Sequence, residues 1–215
     1  MKRKLTDLLR DRAAGSAAEF ALVLPLLLIF LLGIVDVGRL MWTWNQAEKA
    51  TQMGVRYAVV TEPVPSGLST FNFVGTGGLT QGDAILGTAY GGMACTNPTG
   101  TAANPVGSVT CACTGNCPWG TAADSGEDVP FNRIYKHMQR FLSPLQPKNL
   151  KVLYQPSGLG FAGNPHGPDI SPVVTVELTG LIFKPVSLSL FGASVPLPSF
   201  SAALTMEDGQ GSQSN

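Results

Sequence analysis

The chain is 215 residues long, which suits one membrane span and one domain of modest size. It carries 14 basic and 14 acidic residues, and it shows no basic surface with interleaved aromatic residues, so the composition argues against nucleic-acid binding. The charge is nevertheless uneven, because residues 1–12 contain five basic and two acidic side chains, and the remainder is net acidic.

A basic leader over residues 1–14 precedes an apolar run from Phe20 to Val35. The run has 16 residues, fewer than the about 20 that a bilayer core requires. Extending the run back to Ala13 gives a segment of about 23 residues with Glu19 as its only charge, which is long enough to cross. We therefore predict a transmembrane segment over residues 15–37 in the lipid bilayer, with Asp36 at its outer boundary. Basic residues beside a first span stay in the cytoplasm, so the N-terminus is expected there and the chain after Val37 outside.

Glu19 is a charged residue near the cytoplasmic end of this predicted span. A carboxylate costs about 2.5–3.5 kcal/mol at the centre of a membrane helix and less near an interface. Two interpretations follow: Ser16 caps the helix in a capping box with Glu19, or Glu19 pairs with a cation of a neighbouring subunit. A cleaved secretory signal fits less well, because the small residues at 13–15 precede the apolar run instead of following it.

Several short motifs in the first 60 residues occur together. They are AAGSAAEF at Ala13–Phe20, ALVLP at 21–25, Asn45, Ala47, and GVRYA at Gly54–Ala58. This combination resembles the TadE-like pseudopilin family of the Flp (tight adherence) pilus system. The resemblance implies a minor pilin or pseudopilin, a membrane-anchored structural component used in assembling a pilus for adhesion.

The resemblance also assigns roles to residues near the start of the span. In type IV-like pilins a prepilin peptidase cuts on the cytoplasmic side of the apolar segment, and the fifth residue of the mature chain is a glutamate that pairs with the N-terminal amine of a neighbour. Glu19 is therefore the expected subunit contact. Cleavage after Gly15 places Glu19 fourth and cleavage after Ala14 places it fifth, and retention as an uncut anchor is a further option.

The implied location is the inner (cytoplasmic) membrane, crossed once, with the C-terminal domain periplasmic or extracellular. The implied partners are other pilin or pseudopilin subunits, the pilus assembly platform and prepilin peptidase. A different class of function also fits the sequence: a singly anchored extracytoplasmic binding or adhesive module that belongs to no pilus. Its support is the large uncharged region that follows the helix.

The helical pattern continues beyond the span. Apolar residues recur at three- and four-residue steps as far as Ala58, which predicts an outer continuation of the helix over residues 38–62. Two prolines between Glu62 and Pro65 end it. Residues 63–127 are rich in glycine, threonine and alanine and predict a long turn-rich loop, which we expect disulfides to staple.

The four cysteines are Cys95, Cys111, Cys113 and Cys117. They fall on the predicted outer side, where disulfides form. A bridge between Cys111 and Cys113 would close a very tight ring, so two pairings remain: Cys95 with Cys111 and Cys113 with Cys117, or Cys95 with Cys113 and Cys111 with Cys117. No metal is expected, because a four-thiolate zinc site usually shows paired Cys-x-x-Cys knuckles.

Residues 128–207 predict a small α+β domain outside the membrane, and residues 208–215 a disordered tail. An amphipathic helix is predicted over Phe131–Leu142. Alternation of apolar and polar residues predicts strands at Leu150–Tyr154, Val174–Leu178 and Phe200–Met206, with a less regular pattern over Val186–Leu190. The expected fold is therefore a long N-terminal helix followed by an antiparallel sheet with one short helix.

No residue pattern predicts an enzyme or a cofactor site. The loop Gly158–Gly163 has the spacing of a dinucleotide motif, but Pro165 and Pro168 follow where a helix would have to begin. His137 and His166 belong to no metal or catalytic-triad spacing. We therefore expect no catalytic residue.

Overall fold

The computed structural model describes residues 12–105, 107–124, 126–189 and 192–210. The predicted leader up to Asp11 and the end of the predicted tail from Gly211 lie outside these residues. The first element, helix α1, spans Arg12–Ala58 and is 47 residues long. It confirms the predicted long N-terminal helix and its continuation past the apolar run.

The predicted cap role of Ser16 is wrong. An N-cap residue precedes the first helical residue, whereas α1 is already helical at Arg12, so Ser16 lies inside the helix. The Glu19 side chain is exposed on the surface of α1.

In the described part of the chain, seven strands and two further α-helices follow α1. In chain order these elements are β1 (Gly92–Thr96), β2 (Thr110–Thr114), α2 (Pro130–Gln139), β3 (Leu150–Gln155), β4 (Val173–Leu178), β5 (Ile182–Phe183), α3 (Val186–Ser189), β6 (Val195–Pro196) and β7 (Phe200–Thr205). Short 3₁₀ helices also occur at Thr76–Gly78 and Pro147–Asn149. The class is α+β, as predicted.

The chain divides into two compact units. The first, called here the span unit, contains Met1–Trp42 and Ile182–Val195. The second, called the sheet unit, contains Thr43–Leu181 and Pro196–Asn215. The division falls within α1, so one helix contributes residues to both units.

The sheet unit is built on a five-stranded antiparallel sheet in the order β2-β1-β3-β4-β7. Strands β3, β4 and β7 confirm three of the predicted strands. Alternate residues of β3 and β4 are buried, because successive side chains of a strand point to opposite faces. The buried face includes Val152, Tyr154, Val174 and Val176.

Two sequence-based expectations about strands are wrong. The region 63–127, expected to be loop, contains β1 and β2, which extend the sheet beyond β3. Glycine and alanine in these strands have little strand propensity, and pairing of β1 with β3 and of β2 with β1 compensates for it. The Val186–Leu190 strand pattern instead begins with helix α3, because Asp36 accepts hydrogen bonds from the Val186 and Ser187 amides.

The part of α1 that belongs to the sheet unit packs through a face of small or β-branched side chains. Its small or β-branched residues Ala47, Ala50, Val55 and Ala58 are buried. A Cβ atom placed on Gly54 would lie 2.5 Å from Sδ of Met138 on α2, so the glycine permits a close approach of the two helices. These residues act through their small size.

Helix α2 confirms the predicted second helix with shifted bounds. Pro130 occupies its first turn, where proline's missing N–H is tolerated. The regular helix ends at Gln139, and the amide of Leu142 still donates to the Met138 carbonyl. Phe131, Ile134 and Met138 form its fully buried face.

Candidate membrane span and subunit-contact site

The segment Phe20–Val37 of α1 presents apolar side chains on all sides. Phe30, for example, is 68% exposed, and only 6% of the most apolar 18-residue window is buried. Exposed apolar surface of this extent marks an interaction with lipid or with another protein. Among the described residues, α1 is the one helix long and apolar enough to cross a membrane.

Glu19 is the charged residue of this apolar surface. Among the described residues it makes no hydrogen bond and no ion pair, and its side chain is exposed. A carboxylate at the edge of hydrocarbon is stable only with a counter-charge or with access to water. The geometry therefore leaves the Glu19 carboxylate available to a group on another molecule.

Ala14 and Gly15, the residues expected to flank a peptidase cut, both lie in the first turns of α1. Gly15 is exposed, and a Cβ atom placed on it would meet nothing within 4 Å. No packing contact therefore requires glycine at this position. Cleavage after either residue stays a prediction.

Asp36, at the other end of the apolar run, forms a site that the sequence did not reveal. Its Oδ1 accepts from the Val186 amide at 2.7 Å, and its Oδ2 accepts from the amide of Ser187 at 2.7 Å and from the Ser187 hydroxyl at 2.6 Å. Nη1 of Arg39 lies 3.2 Å from Oδ1 of Asp36 and forms an ion pair with it. Only 6% of Asp36 is exposed.

A pair three residues apart on a helix, such as Asp36 and Arg39, contributes little when it is exposed, but here the aspartate is buried. The Asp36 carboxylate is buried, and both of its oxygens accept hydrogen bonds from a segment 150 residues away in the chain. Arg39 also lies 5.5 Å from the centroid of the Phe183 ring, within the range of a cation–π contact. A partner so distant in sequence leaves no local pattern to detect.

All four cysteines are in disulfides. Cys95 bonds to Cys111 and Cys113 bonds to Cys117, which is the first of the two pairings left open above. Cys95 and Cys111 also face each other in the register of β1 and β2. The bridges therefore fasten β2 to the sheet and to the turn that follows it.

The last residue of the glycine loop, Gly163, is engaged by a carboxylate of the chain itself. The amides of Gly163 and Asn164, together with that of Phe73, donate to the Asp169 carboxylate. These amides are thereby unavailable to a phosphate. Within the described residues, no cluster of three or more His, Cys, Asp or Glu side chains could hold a metal ion.

The comparisons with known proteins bear on the N-terminal helix. Comparison with curated proteins and with solved structures gave no match. Residues 15–56 match a family model described as TadE-like protein. The matched range includes Glu19, Asp36 and Gly54, so it covers the apolar segment and most of the packed part of α1. By this match, the N-terminal helix of the chain is TadE-like.

Proposed function

We propose that the chain is a minor pilin or pseudopilin of a Flp-type pilus, anchored in the cytoplasmic membrane by residues 15–37. The proposal is supported by the TadE-like match and by an apolar helical surface that the described residues leave uncovered. The observation that carries it is the exposed Glu19 carboxylate, which has no partner among the described residues. The pilus assembly platform is the proposed site of action.

Glu19 is the proposed contact between subunits. A cation brought against a carboxylate in hydrocarbon interacts strongly, because water does not screen the pair. The proposed cation is the N-terminal amine of a neighbouring subunit after cleavage at Ala14 or Gly15. Mass spectrometry of the N-terminus, with and without a prepilin peptidase, tests the cleavage directly.

The subunit contact is tested by Glu19→Gln, which keeps the side-chain shape and removes the charge. Each form also carries Leu22→Cys on the exposed apolar surface, and oxidative cross-linking between subunits is measured in membranes. Because the native cysteines in the described residues are all paired, the introduced thiol reports the contact. We expect about a tenfold loss of cross-linking, equivalent to about 1.4 kcal/mol.

Glu48→Gln is the matched control. Glu48 lies on the same helix in the sheet unit, where its carboxylate accepts from Trp44 Nε1 at 2.8 Å, and a glutamine oxygen can accept the same bond. Cross-linking and pilus number should stay at the wild-type level. Unchanged cross-linking and normal pili in Glu19→Gln would instead show that the carboxylate makes no subunit contact.

A further inference from the structure

The segment Ile182–Val195, called here the return segment, belongs to the span unit although it follows the sheet strand β4 in sequence. Asp36 holds it through three hydrogen bonds, two from backbone amides and one from the Ser187 hydroxyl. The Arg39 guanidinium contacts both the Asp36 carboxylate and the Phe183 ring. These contacts therefore attach the return segment to α1 at one position along the helix axis, the level of Asp36.

That level is the C-terminal end of the apolar run. Asp36 follows Glu19 by 17 residues of uninterrupted helix, and at 1.5 Å per residue the two carboxylates are about 26 Å apart along the axis. The hydrocarbon core of a bilayer is about 30 Å thick. If Glu19 lies at one edge of the core, Asp36 lies at the other.

The return segment carries apolar side chains that stay exposed at this level. Ile182 is 62% exposed, and Val186 and Val195 are exposed as well. The segment and α1 together line an open apolar groove of about 480 Å³. This groove continues the exposed apolar surface of the span, since Ile29, Leu32 and Val37 line it.

The charge of the return segment also fits the headgroup region of a membrane. Lys184 is its single charged residue, and its side chain is exposed. A lysine beside apolar residues at an interface keeps its amine among lipid phosphates while its stem contacts hydrocarbon. Trp42, an exposed residue of the span unit, has the amphipathic ring typical of the same interfacial region.

We propose that the described part of the return segment, residues 182–187 and 192–195, is a second membrane contact, which lies in the headgroup region of the leaflet that Asp36 reaches and turns Ile182, Val186 and Val195 toward the acyl chains. The inference rests on the proposed anchoring by residues 15–37. The Asp36 carboxylate fixes the depth of the contact, and its own burial is tolerated because both oxygens accept hydrogen bonds. The occupant of the groove is lipid.

The test uses the full chain in vesicles of phosphatidylethanolamine and phosphatidylglycerol. A fluorescent nitrobenzoxadiazole label is attached at Ile182→Cys, and quenching is measured with lipids that carry a nitroxide near the headgroup and with aqueous iodide. Leu86→Cys, at a position 68% exposed in the sheet unit, is the matched water-exposed control. Leu27→Cys, near the middle of the apolar run, reports the span itself, measured with lipids that carry the nitroxide deep in the acyl chain.

We expect the nitroxide lipid to quench the label at residue 182 and iodide to quench it little, with the reverse at residue 86. A label at residue 182 that iodide reaches, or that neither quencher reaches, would overturn the inference. If the label at residue 182 gives such a result while lipid still quenches the label at residue 27, the proposed membrane anchor is supported and only the second contact is refuted. Loss of lipid quenching at residue 27 as well would overturn the anchor too.

Asp36→Asn tests whether the carboxylate sets the depth. Both Asp36 oxygens accept from N–H groups, so an asparagine would turn its own NH₂ toward one of them. We expect the label at residue 182 to become accessible to iodide while lipid quenching at residue 27 is unchanged. Retained lipid quenching at residue 182 would show that Asp36 does not hold the segment at the membrane.

Discussion

The two parts of helix α1 differ in which side chains they expose and which they bury. Between Phe20 and Val37 the large apolar residues are exposed around the helix, and a Cβ atom placed on Gly33 would meet nothing within 4 Å. Between Thr43 and Ala58 the inward residues are small and buried, and Gly54 approaches Met138 closely. The two parts of α1 therefore pack differently: the first exposes large apolar side chains, and the second buries small ones.

The difference shows which property of the sequence each part depends on. Under the proposed anchoring, the first part depends on composition, because a fluid lipid surface adapts to any apolar side chain of suitable size. The second part depends on shape, because protein interiors are close-packed and small changes of volume are felt. The same substitution made in both parts should therefore have unequal effects.

The largest contrast is expected between Phe30→Ala in the first part of α1 and Phe131→Ala in the sheet unit, to which the second part of α1 belongs. Phe131 on α2 is fully buried in the sheet unit, so its removal leaves a cavity and should lower the free energy of unfolding by about 3–5 kcal/mol. Phe30 is 68% exposed in the apolar run, so its removal should leave that free energy unchanged. Urea unfolding in detergent, followed by tryptophan fluorescence, measures both, and equal losses would contradict the comparison.

A smaller contrast is expected between Gly54→Val and Gly33→Val. The new side chain at position 54 would overlap Met138 and force α1 and α2 apart, which should cost about 1–3 kcal/mol of unfolding free energy. At position 33 it would meet open space, and both variants carry the same β-branched penalty in a helix. The difference between the two, measured by urea unfolding, therefore isolates the helix–helix contact. Equal midpoints would show that Met138 yields without cost.

Local periodicity was enough to predict the elements whose burial is regular. The apolar run identified the span, and alternation identified β3, β4 and β7, because each of these segments carries its own signal. Glu19 was found because a charge directly before an apolar run is conspicuous. These features depend on neighbours within a few residues.

The features that the sequence did not reveal depend on distant partners. Strand β1 is poor in strand-forming residues and is held by β3 on one side and by β2 on the other, where Cys95 bonds to Cys111. Helix α3 has a strand-like pattern, and its first amides donate to Asp36, 150 residues earlier. Contacts of this kind override local propensity.

The smallest effect concerns pH and the aromatic contact between α1 and α2. The Tyr57 and His137 rings are stacked with centroids 4.7 Å apart. Burial, and secondly the positive charge of Arg140, lowers the pKa of His137 below its usual value near 6.5. The unfolded chain therefore binds the proton more readily, so the free energy of unfolding should fall as pH drops below about 6.5 and be fully retained above it.

His137→Gln should lose this part of the pH dependence between about pH 5 and pH 8, with urea midpoints as the measurement. A pH dependence identical to wild type would show that the stacked imidazole is not the group that titrates.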